Sequence, residues 1–192
     1  MQLRKLITAT LITIIATTFI FSPKTEAAAP KVKSGDILVT PVGPVAKLVG
    51  HAGIVANDGK SVIHIAGPGY HPRKISLKSW KSRFPKTKVV RYKNASKAKK
   101  AAVWAEKNFI KGKYKKIKYF ISSGPYHFRS TYCSKLVWQA YYKGANVKFK
   151  DWYVAGGPYL SVTVFDVPEI IQPYMFLRNG DFNGLKTIGR IN

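Results

Sequence analysis

Hydrophobic and polar positions alternate most clearly in HAGIVANDGKSVIHIA, residues 51–66, where two β-rich runs flank Asn57-Asp58-Gly59-Lys60. Asp-Gly between such runs predicts a hairpin. With Asp58-Gly59 as a two-residue loop, Asn57 faces Lys60, His64 lies opposite Gly53, and His51 lies opposite Ala66. Strand residues two apart share a face. His51, Gly53 and Val55 therefore join Val62, His64 and Ala66 on one side, while Ala52, Ile54, Ile63 and Ile65 form an apolar face on the other. Upstream, SGDILVT (34–40) reads as a turn into a strand, followed by a Pro-Gly loop at 41–44 and a short apolar segment to Val49. KVVRY (88–92) is a further strand. From Ala95 to Ile110, the residues Ala98, Ala101, Ala102, Ala105 and Phe109 recur at helical spacing, with Ser96 suited to the N-cap and Gly112 to the stop. A second helix is predicted from Cys133 to Tyr142 or Lys143, closed by Gly144, and the tail reads as short strands at 159–165 and 174–177. This order is α+β, not repeating βαβ units.

The first residues change that picture only at the edge. Arg4-Lys5 precede a 16-residue run from Leu6 to Phe21 diluted by five threonines, and a small-residue stretch follows. This is the pattern of a secretory signal peptide, short of the ~18 apolar residues of a spanning helix. The predicted organisation is a signal peptide over 1–27 with cleavage after Ala27 or Ala28, a basic linker over 28–34, and one domain over 35–192. Cleavage after Ala27 removes three basic residues and one acidic residue from a net charge of +25 and leaves +23. An exported protein so basic meets the anionic polymers of a cell envelope, peptidoglycan and teichoic acid, or anionic lipid headgroups. The basic residues are scattered and form no nucleic-acid signature, so nucleic acid is not an expected partner.

Against this background the single cysteine stands out, in TYCSKLVWQAY (131–141). An exported cysteine usually pairs, and this one has no partner in its own chain. It is an inert buried thiol, half of an intermolecular bridge, or a nucleophile. Its position at a predicted helix start supplies unpaired amides and the positive end of the helix dipole, which lower a thiol pKa. A neighbouring imidazole lowers it further and gives a thiolate–imidazolium pair. His51 and His64 on one hairpin face supply two imidazoles as diagonal neighbours, with Gly53 leaving open space between them.

Taken together, the Gly-Asp-Ile-Leu opening (35–38), the His-Ala-Gly-Ile strand (51–54), the second histidine on the return strand and the Tyr-Cys-Ser-x-Leu-Val-Trp-x-Ala-Tyr helix (132–141) resemble the permuted papain-like branch of the NlpC-type cysteine peptidase superfamily. More closely, they resemble its YiiX-like group, related to lecithin retinol acyltransferase. The resemblance implies a circularly permuted papain-like fold, an antiparallel sheet or small barrel packed against the nucleophile helix. It also implies roles: Cys133 as nucleophile, His51 as general base and His64 as the group orienting His51. Unpermuted bacterial members commonly carry an acidic residue before the cysteine, where this chain has Tyr132.

Other residues carry weaker signals. Tyr114 and Tyr132 are candidate helpers for the oxyanion or substrate, Asp36 is a candidate at a strand entrance, and the backbone N–H of Cys133 is a candidate oxyanion donor. His71 sits in a loop, His127 is a rival for the orienting role, and Trp80, Trp104, Trp138 and Trp152 fit a core. Neither His-Glu-x-x-His nor a cysteine cluster is present, so no metal or other cofactor is expected. The predicted function is a secreted cysteine hydrolase that cleaves an amide in the peptide of peptidoglycan, or in a related envelope polymer, through a thioester. The alternatives are a lipid acyl hydrolase or acyltransferase on the same fold, or a non-catalytic cationic envelope-binding protein.

Overall fold

The computed structural model describes residues 28–41, 50–157, 160–178, 182 and 184–192. The predicted signal peptide over 1–27 and nearly all of the segment between Pro41 and Val49 lie outside these residues. Eight strands are described: β1 (Ile37–Pro41), β2 (Gly50–Val55), β3 (Ser61–His64), β4 (Arg73–Ser76), β5 (Lys88–Tyr92), β6 (Asp151–Gly157), β7 (Leu160–Asp166) and β8 (Leu185–Arg190). Three α-helices accompany them, α1 (Leu77–Arg83), α2 (Ala95–Ala105) and α3 (Cys133–Ala145). Six strands form one sheet in the order β4-β3-β2-β1-β5-β8, all neighbours antiparallel, while β6 and β7 form a separate hairpin. The architecture is α+β, with an open sheet and not a closed barrel.

The hairpin register agrees with the sequence: Ile54 pairs with Ile63 and Val55 with Val62. Its loop is longer than predicted. Ala56 N–H bonds to the Ser61 carbonyl, Gly59 N–H bonds back to Ala56, and the Asp58 carboxylate accepts from the amides of Lys60 and Ser61. Asn57–Lys60 is thus a four-residue loop, because Asp58 holds the turn by its own side chain. Two extra loop residues leave every facing pair unchanged, so the histidines still share a side.

Each sheet face is buried. Ala52, Ile54, Ile63 and Ile65 pack with α2 and α3, whose Leu136, Val137, Trp138, Ala140 and Tyr141 have no exposed surface. Each large apolar side chain so buried is worth about 1.5–3 kcal/mol. On the other face Leu38, Val55, Val62 and Val89 pack with Trp80 from α1. Residues expected to be a linker lie along the sheet, where Arg91 Nη2 donates to the Lys31 carbonyl at 2.8 Å.

Several boundaries differ from the sequence reading. Asn94, and not Ser96, caps α2 by accepting from Lys97 N–H, and the predicted helix continues beyond Ala105 as a π-helical turn, Glu106–Ile110. Helix α3 runs through Gly144 and ends at Asn146, which adopts the left-handed conformation. Gly144 serves a close approach: a Cβ there would lie 2.7 Å from Trp104 Cβ and 2.8 Å from the Lys100 carbonyl oxygen. Residues Pro173–Leu177 form a 3-10 turn, started by Pro173 at its first position, and not a strand. The elements β4, α1, β6 and β8 were not predicted.

Candidate active site

The two hairpin histidines meet. His51 Nε2 lies 2.9 Å from His64 Nδ1 in a buried hydrogen bond. They project from the sheet face that α1 covers, where the His51 ring stacks on Trp80 (centroids 5.4 Å apart, 19° between planes) and lies 4.8 Å from Phe84. His64 meets Trp80 edge-on at 5.4 Å. The space expected above Gly53 is occupied: a Cβ at Gly53 would come within 2.7 Å of Val62 and 2.9 Å of Trp80. Glycine here admits the indole that supports both imidazoles. Trp80 is in turn fixed by its Nε1–H donating to Thr87 Oγ1 at 3.1 Å.

The thiol arrives from the opposite face. Cys133 is the first residue of α3 and is buried, and Tyr132 before it offers no side-chain cap, which leaves the first helical amides free. The sulfur is met by the amides of Cys133 and Ser134 and by that of Ala52, the residue after His51. Successive amides along a strand point alternately to its two neighbours. Val55 N–H points to β1 by bonding Asp36, so Ala52 N–H points toward β3, whose described pairing with β2 stops at Ile54–Ile63. Cys133 occupies the notch where β2 and β3 have parted. Its side-chain hydrogen-bonding contact is with Ser134 Oγ at 3.9 Å, and no hydrogen bond joins the sulfur to an imidazole among the described residues.

Burial decides the resting charges. It lowers the pKa of His51 to about 3, reinforced by His64, and that of His64 to about 4, reinforced by Arg73 and Arg83. It pushes the Cys133 thiol up, and the helix-start and Ala52 amides recover only part of that cost. Burial thus opposes the expected thiolate–imidazolium pair and favours a neutral thiol and neutral imidazoles, because desolvation of the sulfur outweighs the helix terminus. A neutral His51 that keeps Nδ1 able to accept a proton must donate from Nε2 to His64 Nδ1. His64 then carries its proton on Nε2, which is buried with no hydrogen-bond partner among the described residues.

The remaining predicted site residues are placed elsewhere or used otherwise. Tyr114 stacks on Phe128 at 4.5 Å within a ring cluster that includes Trp104 and Phe109. Tyr132 does flank the thiol, but its hydroxyl accepts the Ile171 N–H at 2.8 Å, while Ser134 Oγ donates to the Ile171 carbonyl at 2.6 Å. Both bonds tie the tail to the start of α3. Asp36 is a buried anchor for Arg91, with contacts of 2.7 and 2.8 Å, and for the Lys33 amide. His71 Nδ1 reaches the Ile117 carbonyl. His127 contacts Ser123, Ser122 and Lys135, whereas the hydrogen bond to His51 comes from His64. The sequence reading did not single out Tyr119, whose hydroxyl is pushed up to about 12 by burial first and then by repulsion from Cys133 once that thiol ionises. It also missed Lys135, buried on an apolar helix and lowered to about 8. A charged residue inside the apolar run of α3 was the available signal for Lys135, and Tyr119 had none.

A sequence profile of the family described as lipoprotein N-acylation protein LnsA-like matches residues 4–159, most of the chain, and the chain belongs to that family. An uncharacterized 30.3 kDa protein of Bacillus thuringiensis is 32% identical over 158 residues, covering 74% of this chain, and the chain spans 57% of that relative's length. The crystal structure of the metalloprotein YiiX from Escherichia coli O157:H7 shares the fold, with a TM-score of 0.57 and 16% identity over 84% of this chain and 99% of that one. Among the described residues no three His, Cys, Asp or Glu side chains are gathered as a metal site, and no helix is long and apolar enough to cross a membrane.

Proposed function

We propose that the chain is a cysteine acyltransferase of the bacterial envelope that takes a fatty acyl group from a lipid ester onto Cys133 and passes it to an amine. The observation that carries this reading is the buried His51–His64 hydrogen bond of 2.9 Å beside the notch that holds the only thiol. The family description, lipoprotein N-acylation, supplies an acyl group and an amine acceptor, and it favours the lipid alternative over cleavage of peptidoglycan peptides. The order His, His, Cys along one sheet and one helix supports the permuted papain-like arrangement. The basic, leader-bearing sequence supports action outside the cytoplasm.

In the first step His51 Nδ1 takes the thiol proton as Cys133 Sγ attacks the ester carbonyl. Because both groups rest neutral, transfer and attack are concerted and need no preformed ion pair. His64 Nδ1 accepts from His51 Nε2–H, holds the tautomer and shares the charge that develops on the imidazole. The oxyanion faces the Cys133 and Ser134 amides at the helix start, with the Tyr119 hydroxyl as a second donor. Collapse expels the lipid alcohol, which takes the proton from His51, and leaves a thioester. An incoming amine attacks the thioester while His51 takes its proton, the N-acyl product leaves, and the proton returns to the thiol.

Intact-mass spectrometry after incubation with phospholipid of defined chains tests this reading. One acyl chain on Cys133, transferred on addition of a lipopeptide with a free amino terminus, is the expected result. Release of peptide fragments from purified peptidoglycan, with no acylation of Cys133, would sink it in favour of the amidase.

A further inference from the structure

The β6–β7 hairpin stands apart from the sheet and makes its contacts chiefly with itself. Residues 152–165 contain no Asp, Glu, Lys, Arg or His, and four of these fourteen are Trp, Tyr or Phe. Trp152 and Phe165 face each other across the ribbon, rings 5.1 Å apart, and are 57% and 38% exposed. Val162 pairs with Ala155 on the other face and is 51% exposed. A lone two-stranded ribbon is marginal in water, and one that is apolar on both faces cannot be covered by a single flat partner.

A second apolar pair lies beside the thiol. Phe120 and Ile121 are 66% and 58% exposed, and the Phe120 N–H donates to the carbonyl of Thr131, two residues before Cys133, at 3.0 Å. The loop that carries Phe120 and Ile121 also meets the segment leading into β6, where Lys148 sits over the ring of Tyr126 at 5.8 Å. The hairpin is also tied to the nucleophile, since Ile171, five residues after β7, is bonded to both Tyr132 and Ser134. Lys116 and Lys118, just before Phe120, and Lys148, just before β6, are exposed.

Building on the lipid-ester reading, we propose that the hairpin and the Phe120-Ile121 tip form an interfacial docking surface for an anionic phospholipid membrane, which brings Cys133 to the headgroup boundary. A ribbon wet on both faces suits immersion among acyl chains, aromatic rings suit the interface, and lysines suit anionic headgroups.

The test uses the chain from Ala28, which holds every described element, and vesicles of phosphatidylglycerol or phosphatidylcholine with brominated acyl chains. Trp80 and Trp138 are fully buried and Trp104 is half-buried, so the contribution of Trp152 is the quenching lost in Trp152→Phe. Strong quenching in phosphatidylglycerol, reduced at least threefold in phosphatidylcholine or 1 M salt and unchanged in Cys133→Ala, is expected. Phe120→Ser/Ile121→Ser and Phe165→Ser should each lower acyl transfer from vesicles at least tenfold while sparing acylation of Cys133 by a water-soluble short-chain thioester. Absence of quenching overturns the inference, as does a wild-type dimer in light scattering that becomes monomeric in Trp152→Ser, which would assign the ribbon to a second copy. Quenching without any acylation of Cys133 would instead remove the acyl-transfer reading and leave the docking surface standing.

Discussion

The two faces of β2 do different work for one site. Toward α3, Ala52 and Ile54 are sealed in an apolar core, and the strand offers only the Ala52 amide, which meets the Cys133 sulfur. Toward α1, His51 and Gly53 are packed by the rings of Trp80 and Phe84, and the strand offers an imidazole already hydrogen-bonded to its neighbour. The thiol and the imidazole pair, the proposed nucleophile and base, are therefore positioned by separate packing layers. A change in one layer disturbs alignment across the site without altering the chemistry of the other side.

The sharpest way to break this division is to remove each partner in turn. Cys133→Ala should abolish acyl transfer, a loss of roughly 10⁴–10⁶-fold, while the melting transition and the His51–His64 bond persist, since the thiol contributes no side-chain contact to the histidine layer. A fold that collapses in Cys133→Ala would show that the layers are not separate. His64→Ala should cost roughly 10²–10⁴-fold in turnover, and His64→Asn, which still accepts from His51 Nε2–H, should recover part of it. Equal activity of the two variants would remove the orienting role.

The opposite directions in which burial moves the two layers' pKa values sharpen the comparison by pH. Alkylation of native Cys133 by iodoacetamide should be slow at pH 7 and rise about tenfold per pH unit to beyond the ordinary thiol range, because burial raises its pKa. A plateau near pH 6 would mean a preformed ion pair. The histidines act in acid. Their folded pKa values, about 3 and about 4, lie below the ordinary 6.5, so only the unfolded chain takes up protons as the pH falls from 6.5 toward 4. Each imidazole then removes up to about 1.4 kcal/mol of stability per pH unit in that window. Urea midpoints of wild type and a His51→Gln/His64→Gln variant should converge in acid, and parallel curves would contradict this. The smallest expected effect concerns the α2–α3 contact. Gly144→Ala should destabilise by about 1–3 kcal/mol, read as a lower midpoint, with the pH profile of turnover unchanged.

Alternation around one Asp-Gly turn was enough to place His51 and His64 together, and apolar spacing was enough to start α3 at Cys133. Both signals are local. What escaped was set by distant partners. The charge state of the thiol depends on how completely α3 and the tail bury it, and the room above Gly53 depends on Trp80 from a seven-residue helix too short to announce itself. Gly144 looked like a helix stop because nothing in its own neighbourhood reveals Trp104 lying against it. Tyr114 and Tyr119 could not be told apart from sequence, since only tertiary packing decides which hydroxyl sees the sulfur.

The four-residue loop at Asn57–Lys60 limits how this site can vary in length. Deleting or adding two residues there keeps His64 on the histidine side, whereas a change of one turns it into the α3 core, where a polar ring has no partner. Related chains and engineered variants should therefore differ at this turn by even steps, and an odd step should appear only with a compensating bulge or without catalysis.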